Sequence, residues 1–415
     1  MRARRGGGRL AAVLLGVTLL VAGCGGNGDG GADAAAPAAD GKPPAAADTV
    51  SEERDADGES AATVRIEPRD GAEGVATTGA LKVTATGGTL GSVTVEDGEG
   101  NAVDGRLSAD GTAWQPVRAL ATATRYTVEA VAEDGQGRTS ARSAHFTTVV
   151  ARDTLIGHFT PEDGSTVGVG MPVSLTFSHP VADREAVAAG VEVTAEPAVE
   201  IRGHWFGDRR LDFRPERYWK PGTEVTLSLR LSGVEAAEGV YGTQHKDVSF
   251  TVGRSMVSTV DAKKKTMTVR RDGEVVRTLP VTAGAPHTPT WNGTMVISEK
   301  HEVTRMNGDT VGFGGEYDIK DVPHAMRLST SGTFIHGNYW AARGTFGSAN
   351  TSHGCVGLFD RRGGGDPAAD AAWFYDNSLL GDVVVVQNSQ DATIAPDNGL
   401  NGWNLDWSEW GTAGP

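Results

Sequence analysis

Two residues of this chain have side chains and spacing suited to nucleophilic chemistry. Cys355 follows a histidine and a glycine in "TSHGCVGLFD" (351–360), and His336 lies nineteen residues earlier in "TFIHGNYW". A cysteine at neutral pH is mostly a thiol, and a nearby imidazole can stabilise its thiolate as an ion pair. The pattern predicts a cysteine nucleophile for acyl transfer, with His336 and the adjacent His353 as two competing bases.

The small residues around Cys355 favour a reactive site over a packed core position. A structural cysteine usually lies in a continuous apolar run, whereas "SHG" and "VGL" flank this one. Gly354 allows a substrate to approach the backbone closely. We therefore expect the N–H groups of Gly354 and Cys355 to bind a developing oxyanion.

The other cysteine, Cys24, follows a basic segment and an apolar run that ends in "VAGC". This arrangement resembles a bacterial lipoprotein signal, which predicts a signal peptide at 1–23 and lipidation of Cys24. The alternative is an ordinary signal peptide with an incidental cysteine. The first interpretation anchors the protein by lipid to the outer face of the cell membrane and leaves Cys355 unpaired in an exported protein.

Charge narrows the class of partner. After removal of residues 1–23 the chain has 34 basic and 53 acidic residues, a net charge of −19. A surface this acidic disfavours nucleic acid as a partner.

The elements that must position the two residues are predicted to be mainly β. Residues 24–62 are rich in Gly, Ala, Asp and Pro and predict a disordered tether. Two loosely repeated segments follow, at 63–150 and 151–253, in which short alternating stretches are separated by Gly, Pro and Asp turns. This pattern is typical of immunoglobulin-like sandwiches, whose role here we expect to be spacing and presentation, with ligand binding as the alternative.

Residues 254–388 do not continue the pattern of the two repeated segments, and they contain both His336 and Cys355. Strands are predicted here, with a hairpin turning at Asp272-Gly273, a closing buried strand in "GDVVVVQ", and a short helix that has Asp366 as N-cap and Pro367 at its first position. The tail at 389–415 contains three tryptophans, which we expect on one helical face packed against the protein: Trp403, Trp407 and Trp410.

The stretch "IHGNYWAARGTFGSANTSHGCVGL" (335–358) resembles the signature of the L,D-transpeptidase (YkuD-type) family. A histidine-glycine pair is followed by a spacer and then Ser-His-Gly-Cys, with fifteen residues between His336 and Ser352. The order of signal, tether, two immunoglobulin-like units and catalytic domain is also similar to that of multi-domain members. The resemblance implies a YkuD-like, β-rich catalytic domain over 254–388.

The resemblance also implies roles for single residues. Cys355 would be the nucleophile and His336 the general base, oriented by the carbonyl of Gly337. Three residues would shape the pocket and the oxyanion site: Ser352, His353 and Gly354. One position departs from the family, because many relatives have Arg or Asn where this chain has Gly357.

A hairpin lid with an aromatic residue covers the cleft in related enzymes, and residues 301–319 resemble it. Met306 and Tyr317 are then candidates for substrate contact, and Trp340 is a further one.

The implied reaction uses peptidoglycan stem peptides as donor and acceptor and needs no cofactor. Cys355 attacks the carbonyl of the third residue of a tetrapeptide stem, D-alanine leaves, and an amine of a second stem resolves the thioester. The resemblance also implies acylation by carbapenems, and we expect the lipid-anchored enzyme to reach the cell wall.

Three alternatives stay open from the residues alone. The first is an L,D-carboxypeptidase in which water resolves the thioester, and the second is a wall-binding lipoprotein without activity. The third is a zinc site whose candidate ligands are His324, His336, His353 and Cys355. The short spacings between ligands that are typical of zinc sites do not support it.

Overall fold

The computed structural model describes residues 58–311 and 314–411. The predicted signal peptide, Cys24 and most of the predicted tether lie outside these residues. The described chain is mostly β, with two α-helices in these ranges, as expected for the fold class. None of its helices is long and apolar enough to cross a membrane.

The first sandwich consists of two four-stranded sheets, in the orders β1-β3-β6-β5 and β2-β8-β7-β4. Its strands are β1 (Thr63–Glu67), β2 (Ala72–Val75), β3 (Lys82–Thr86), β4 (Thr89–Asp97), β5 (Gly105–Leu107), β6 (Ala113–Pro116), β7 (Arg125–Glu133) and β8 (Thr139–Thr148). Along β7 exposed and buried side chains alternate, as a half-buried strand requires. The buried residues of both sheets form one core around Trp114 and Phe146.

The second sandwich has sheets in the orders β10-β12-β15-β14 and β11-β19-β16-β13, with a small third sheet β17-β18-β9. Its elements are β9 (Asp153–Leu155), β10 (Gly157–Thr160), β11 (Thr166–Val167), β12 (Val173–Phe177), α1 (Arg184–Ala189), β13 (Val191–Glu196), β14 (Ile201–Phe206), β15 (Arg210–Pro215), β16 (Glu224–Arg230), β17 (Glu235–Ala237), β18 (Val240–Gly242) and β19 (His245–Val252). Its core includes Val383 from the part of the chain that follows.

A nine-stranded mixed sheet forms the third part, in the order β23-β28-β20-β21-β22-β27-β26-β25-β24. Its elements are β20 (Met256–Asp261), β21 (Thr266–Arg271), β22 (Glu274–Thr282), β23 (Gly293–Val296), β24 (Glu299–Asn307), β25 (Asp318–Arg327), β26 (Phe334–Asn338), β27 (Val356–Phe359), α2 (Asp370–Asn377) and β28 (Val383–Gln387). Two neighbouring pairs are parallel, β20 with β28 and β26 with β27. The second pair carries both candidate residues of the site.

The predicted hairpin at Asp272-Gly273 is confirmed. The two residues join β21 to β22 with positive φ angles of 51° and 89°. Two successive positive φ values are what a two-residue hairpin loop of the favoured twist needs, and they explain the Asp-Gly pair.

The predicted start of the helix is wrong. Helix α2 begins at Asp370 with Ala369 as its N-cap. Asp366 instead accepts a hydrogen bond from the N–H of Ala368 at 3.1 Å and closes a turn that precedes the helix. An Asx turn and a helix N-cap share this side-chain to backbone contact, so the sequence alone does not separate them.

The tryptophan-rich segment packs on the second sandwich, but it is not α-helical. Its only regular element in the described residues is a 3₁₀ turn at Gly402–Asn404. The guanidinium of Arg214 lies 4.2 to 5.3 Å from the rings of all three tryptophans, while its Nη2 donates to the carbonyl of Leu405 at 2.8 Å. Burial lowers the pKa of Arg214 to about 10. The three tryptophan rings are therefore close together because each contacts Arg214, and not because they share one face of a helix.

Candidate active site

Cys355 lies directly before β27, and two hydrogen bonds hold the loop that precedes it against the residues that follow β22. The N–H of Ser352 donates to the carbonyl of Ala283 at 3.1 Å, and the N–H of Ala285 donates back to the carbonyl of Ser352 at 2.8 Å. These bonds extend the end of β22 alongside the loop. Since β27 begins at Val356 and pairs with β22, the position of Cys355 is set by the sheet.

The sulfur of Cys355 faces the turn that leads into β26. Its S–H donates to the carbonyl of Gly332 at 3.6 Å. Burial raises the pKa of the Cys355 thiol to about 11, although the N–H of Phe334 and the charge of Arg327 act in the opposite direction. The resting side chain is therefore a thiol at neutral pH.

His336 reaches the same face of the sheet from the parallel neighbour. The register pairs Ile335 with Val356 and His336 with Gly357, and side chains on a strand alternate between faces. His336 is therefore on the face that Cys355 also occupies, one step along.

One hydrogen bond orients the imidazole of His336. Its Nδ1 lies 3.0 Å from the carbonyl oxygen of Gly337. Because a carbonyl only accepts, Nδ1 carries the hydrogen and Nε2 keeps its lone pair. Burial lowers the pKa of His336 below its ordinary 6.5, so the ring is neutral and able to accept a proton. The indole of Trp340 stacks on it, with ring centroids 5.5 Å apart and planes 15° apart.

The sequence predicts a thiolate–imidazolium ion pair, whereas the directions of both pKa shifts favour the neutral forms. Burial opposes both the thiolate of Cys355 and the imidazolium of His336, and the thiol donates to Gly332 instead of to the imidazole. The resting arrangement is a neutral thiol beside a neutral imidazole. It can form the thiolate when the proton moves to Nε2 during attack on a carbonyl.

A buried carboxylate, that of Asp360, packs against Gly337. Asp360 accepts a hydrogen bond from Nδ1 of His324, with 2.7 Å between the atoms. A Cβ at position 337 would lie only 2.2 Å from Oδ2 of Asp360. Glycine is therefore required where the carbonyl that orients His336 is held. The sequence analysis missed Asp360, for which no local motif was present.

Seven of the nine candidate residues line one cavity of about 390 Å³, a volume typical of small-molecule sites, while Gly337 and Gly354 are not among its lining residues. Its lining comprises Met306, Tyr317, Ile319, His336, Asn338, Trp340, Ala341, Thr345, Thr351, Ser352, His353 and Cys355. A larger open cleft of about 1060 Å³ lies between the two sandwiches and includes neither Cys355 nor His336.

The predicted lid is a hairpin in the structure. β24 and β25 pair antiparallel, with Met306 opposite Ile319. Burial raises the pKa of Tyr317 to about 12, and Cys355 adds to the shift. Tyr317 and Met306 both line the cavity that contains Cys355, the position expected for lid residues.

The three residues before Cys355 have different surroundings. Nε2 of His353 is 3.0 Å from a carboxylate oxygen of Glu316, and its ring lies 5.1 Å from that of Tyr317. Ser352 Oγ donates to the carbonyl of Cys355 at 2.5 Å and accepts from the N–H of Gly354 at 3.2 Å. His353 thus contacts the lid, and a substrate oxyanion would have to compete with Ser352 for the Gly354 N–H.

The four side chains considered for zinc are not gathered around one point. His324 pairs with Asp360 and does not line the cavity that contains the other three. Across residues 58–311 and 314–411, no group of three or more His, Cys, Asp or Glu side chains is arranged to hold a metal ion.

Comparison with known proteins shows which family the chain is similar to. A family model described as "L,D-transpeptidase catalytic domain" matches residues 255–386, and one described as "Bacterial Ig domain" matches residues 72–235. L,D-transpeptidase 2 of Mycobacterium tuberculosis is 36% identical over 344 residues, covering 82% of each chain. The chain belongs to the L,D-transpeptidase family.

Two solved L,D-transpeptidase structures are also similar. LdtMt1 in complex with imipenem is 29% identical and covers 57% of this chain and 99% of its own, with a TM-score of 0.47. L,D-transpeptidase 3 of Mycobacterium tuberculosis, in complex with a faropenem-derived adduct, is 27% identical and covers 55% and 97%, with a TM-score of 0.44.

Asn338 is a further lining residue of this L,D-transpeptidase that the sequence analysis missed. It lies two positions after His336 on β26, so the period of two along a strand puts both side chains on one face. That spacing was available in the sequence once β26 was recognised as a strand.

Proposed function

We propose that the protein forms peptidoglycan cross-links between the third-position residues of two stem peptides, through a thioester on Cys355. The observation that supports this best is the pairing of β26 with β27, which brings His336 and Cys355 to one cavity with Nε2 of His336 available as a base. Both half-reactions need a thiol nucleophile and a single proton carrier beside it.

The first half-reaction acylates the enzyme. The sulfur of Cys355 bonds to the third-residue carbonyl of the donor stem as its proton passes to Nε2 of His336. The tetrahedral oxyanion is bound by the backbone N–H of Cys355, and by that of Gly354 once it leaves Ser352 Oγ. The intermediate then collapses, the C–N bond breaks, and D-alanine leaves with the proton returned by His336.

The second half-reaction releases the product. The side-chain amine on the third residue of an acceptor stem attacks the thioester carbonyl, and His336 takes the proton that the amine loses. The C–S bond breaks and the sulfur regains a proton. Tyr317, Met306 and the stacked Trp340 contact the stems and limit the access of water, which would otherwise give carboxypeptidase activity.

The decisive experiment is intact-protein mass spectrometry after incubation with imipenem. A chain that begins at Asp57, the start of the compact unit Asp57–Pro415, should gain one adduct per molecule, because the strained β-lactam carbonyl is an electrophile for the same thiol. Cys355→Ala should gain none. Absence of an adduct on folded, reduced wild type would contradict the proposal and favour a wall-binding role.

The nature of the acceptor is tested with tetrapeptide stems in place of the β-lactam. A product with the mass of two stems less one D-alanine identifies transpeptidation. Tripeptide alone would identify the L,D-carboxypeptidase alternative.

We further propose that the mature protein is lipid-anchored through Cys24 at the outer face of the cell membrane and reaches into the cell wall. The "VAGC" junction after an apolar run supports this. Cys24→Ser should abolish labelling by a clickable fatty acid and release the protein from the membrane fraction. Unchanged labelling of this variant would contradict the anchor.

A further inference from the structure

Asn338 is a nearly buried side chain whose amide donors face the cavity. The residue is 4% exposed and lines the pocket together with His336 and Cys355. Its Oδ1 accepts the N–H of Ala341 at 3.0 Å. This bond fixes which end of the amide faces the turn, so Nδ2 and its two hydrogens face the other way.

Among the described residues no protein acceptor bonds to that Nδ2, and the atom is not one of the fully buried polar atoms that lack a partner, so it is open to the cavity. An oxygen of a ligand in the cavity can accept a hydrogen bond from this open donor. The donor is therefore placed to bind an acceptor atom of a ligand that enters the cavity.

The location of Nδ2 follows from the neighbouring strand. Gly357 pairs with His336, and a Cβ built at Gly357 would lie 3.3 Å from Nδ2 of Asn338 and 2.8 Å from Cγ2 of Thr282. The amide of Asn338 thus occupies the space that a side chain at position 357 would take, two residues after Cys355 and on its face of the sheet.

We infer that Asn338 is a substrate-binding residue whose Nδ2 donates to an acceptor oxygen, carbonyl or carboxylate, of the donor stem beside the scissile bond. This inference rests on the proposed function and names one of its binding contacts. The neutral amide suits a carbonyl or carboxylate, since it offers two hydrogens and carries no charge that burial would penalise.

The test compares Asn338→Asp and Asn338→Ala with wild type in the chain from Asp57. Asn338→Asp keeps an acceptor for the Ala341 N–H but replaces the donor with an oxygen and adds a negative charge, whereas Asn338→Ala removes the whole amide without adding charge. Both variants should raise KM for a tetrapeptide stem by about five- to tenfold, the effect of one lost hydrogen bond, while kcat stays within about twofold. Alkylation of Cys355 by iodoacetamide should match wild type, which shows that the fold and the thiol are intact.

A rescue variant separates the amide from the residue that carries it. Thr282→Ser removes the methyl group that would meet a Cβ at position 357, so Thr282→Ser/Asn338→Ala/Gly357→Asn returns an amide to the same space from the neighbouring strand. Its KM should recover at least half of the loss on a logarithmic scale, with Thr282→Ser alone as the matched control.

A stem that ends in D-alanine amide tells the two oxygens apart. If Nδ2 binds the terminal carboxylate, the defect of Asn338→Asp should be smaller for this stem, because the repulsion between two carboxylates is gone. If Nδ2 binds a backbone carbonyl, both stems should show the same defect.

Two outcomes would overturn the inference while leaving the proposed function intact: unchanged KM in both single variants, or a fall in kcat without a change in KM. Wild type that neither releases D-alanine nor reacts with imipenem would remove the proposed function, and this inference with it.

Discussion

At the scale of single residues, burial sets the chemistry of the site. It raises the pKa of the Cys355 thiol to about 11 and lowers the pKa of His336, so neither group is charged at neutral pH. A neutral pair avoids the cost of placing two charges in a partly desolvated cavity. Proton transfer must then accompany attack, which makes the base essential near pH 7.

This arrangement predicts the pH dependence of acylation by imipenem. The pKa of His336 lies below 6.5, so the wild-type rate should rise with pH only below that value and then level off, because neutral His336 accepts the thiol proton. In His336→Ala the rate should follow the thiolate fraction and rise about tenfold for each pH unit between about pH 6 and about pH 9, below a thiol pKa of about 11. Rapid-quench mass spectrometry measures both profiles.

A wild-type rate that also climbed tenfold per unit through this range would show that the thiol ionises without His336. The general-base assignment would then be wrong. Alkylation of both proteins at high pH controls for access to Cys355.

At the scale of elements, the parallel pair β26 and β27 is the framework of the site. One strand carries His336 and the other begins directly after Cys355. The strand pair is braced by Asp360 at the end of β27, whose carboxylate packs against Gly337 and pairs with His324. The orientation of His336 therefore depends on a buried contact that involves neither Cys355 nor the cavity.

Gly337→Ala tests this brace. The new Cβ would lie 2.2 Å from Oδ2 of Asp360, so either β26 or the Asp360 carboxylate must move. We expect a stability loss of about 1–3 kcal/mol, as for overpacked cores, and acylation slowed by at least tenfold because the carbonyl that orients His336 is displaced. Thermal unfolding and imipenem acylation are the measurements.

Gly344→Ala is the matched control, since a Cβ there meets nothing within 4 Å. Wild-type acylation in Gly337→Ala would show that the contact between Gly337 and Asp360 does not position the imidazole.

At the scale of the whole molecule, the catalytic part is joined to the second sandwich by two sets of contacts. The N–H of Gly168 donates to the carbonyl of Leu380 at 2.6 Å, and that of Gly170 donates to the carbonyl of Gly381 at 2.9 Å. The tryptophan-rich segment adds Trp410, which is 1% exposed and donates from its indole to the carbonyl of Arg202 at 2.8 Å. The active site is thus built on a sheet fixed to the preceding domain.

Trp410→Ala should lower the free energy of unfolding by about 3–5 kcal/mol, the range for removal of a buried aromatic side chain. Trp340→Ala changes the same residue type at a position that is 44% exposed, and it should change stability by less than about 1 kcal/mol. Chemical denaturation compares the two. Equal midpoints for Trp410→Ala and wild type would show that the segment does not contribute to the stability of the fold.

The sequence by itself determined the family, the β class and the two residues expected to carry the chemistry. Strand alternation, the Asp-Gly hairpin and the spacing from His336 to Cys355 are local, and local patterns are read directly. The histidine-glycine pair also predicted that the carbonyl of Gly337 orients His336, but the sequence did not show why this position must be glycine.

Only the tertiary structure decided the remaining features, because each depends on residues distant in the chain. Asp360 meets Gly337 across a sheet, and Asn338 fills the space above Gly357 only when β26 and β27 are paired. The three tryptophans pack around Arg214 of another domain. The protonation states of Cys355 and His336 follow from burial, and burial is a property of the packed fold and not of a motif.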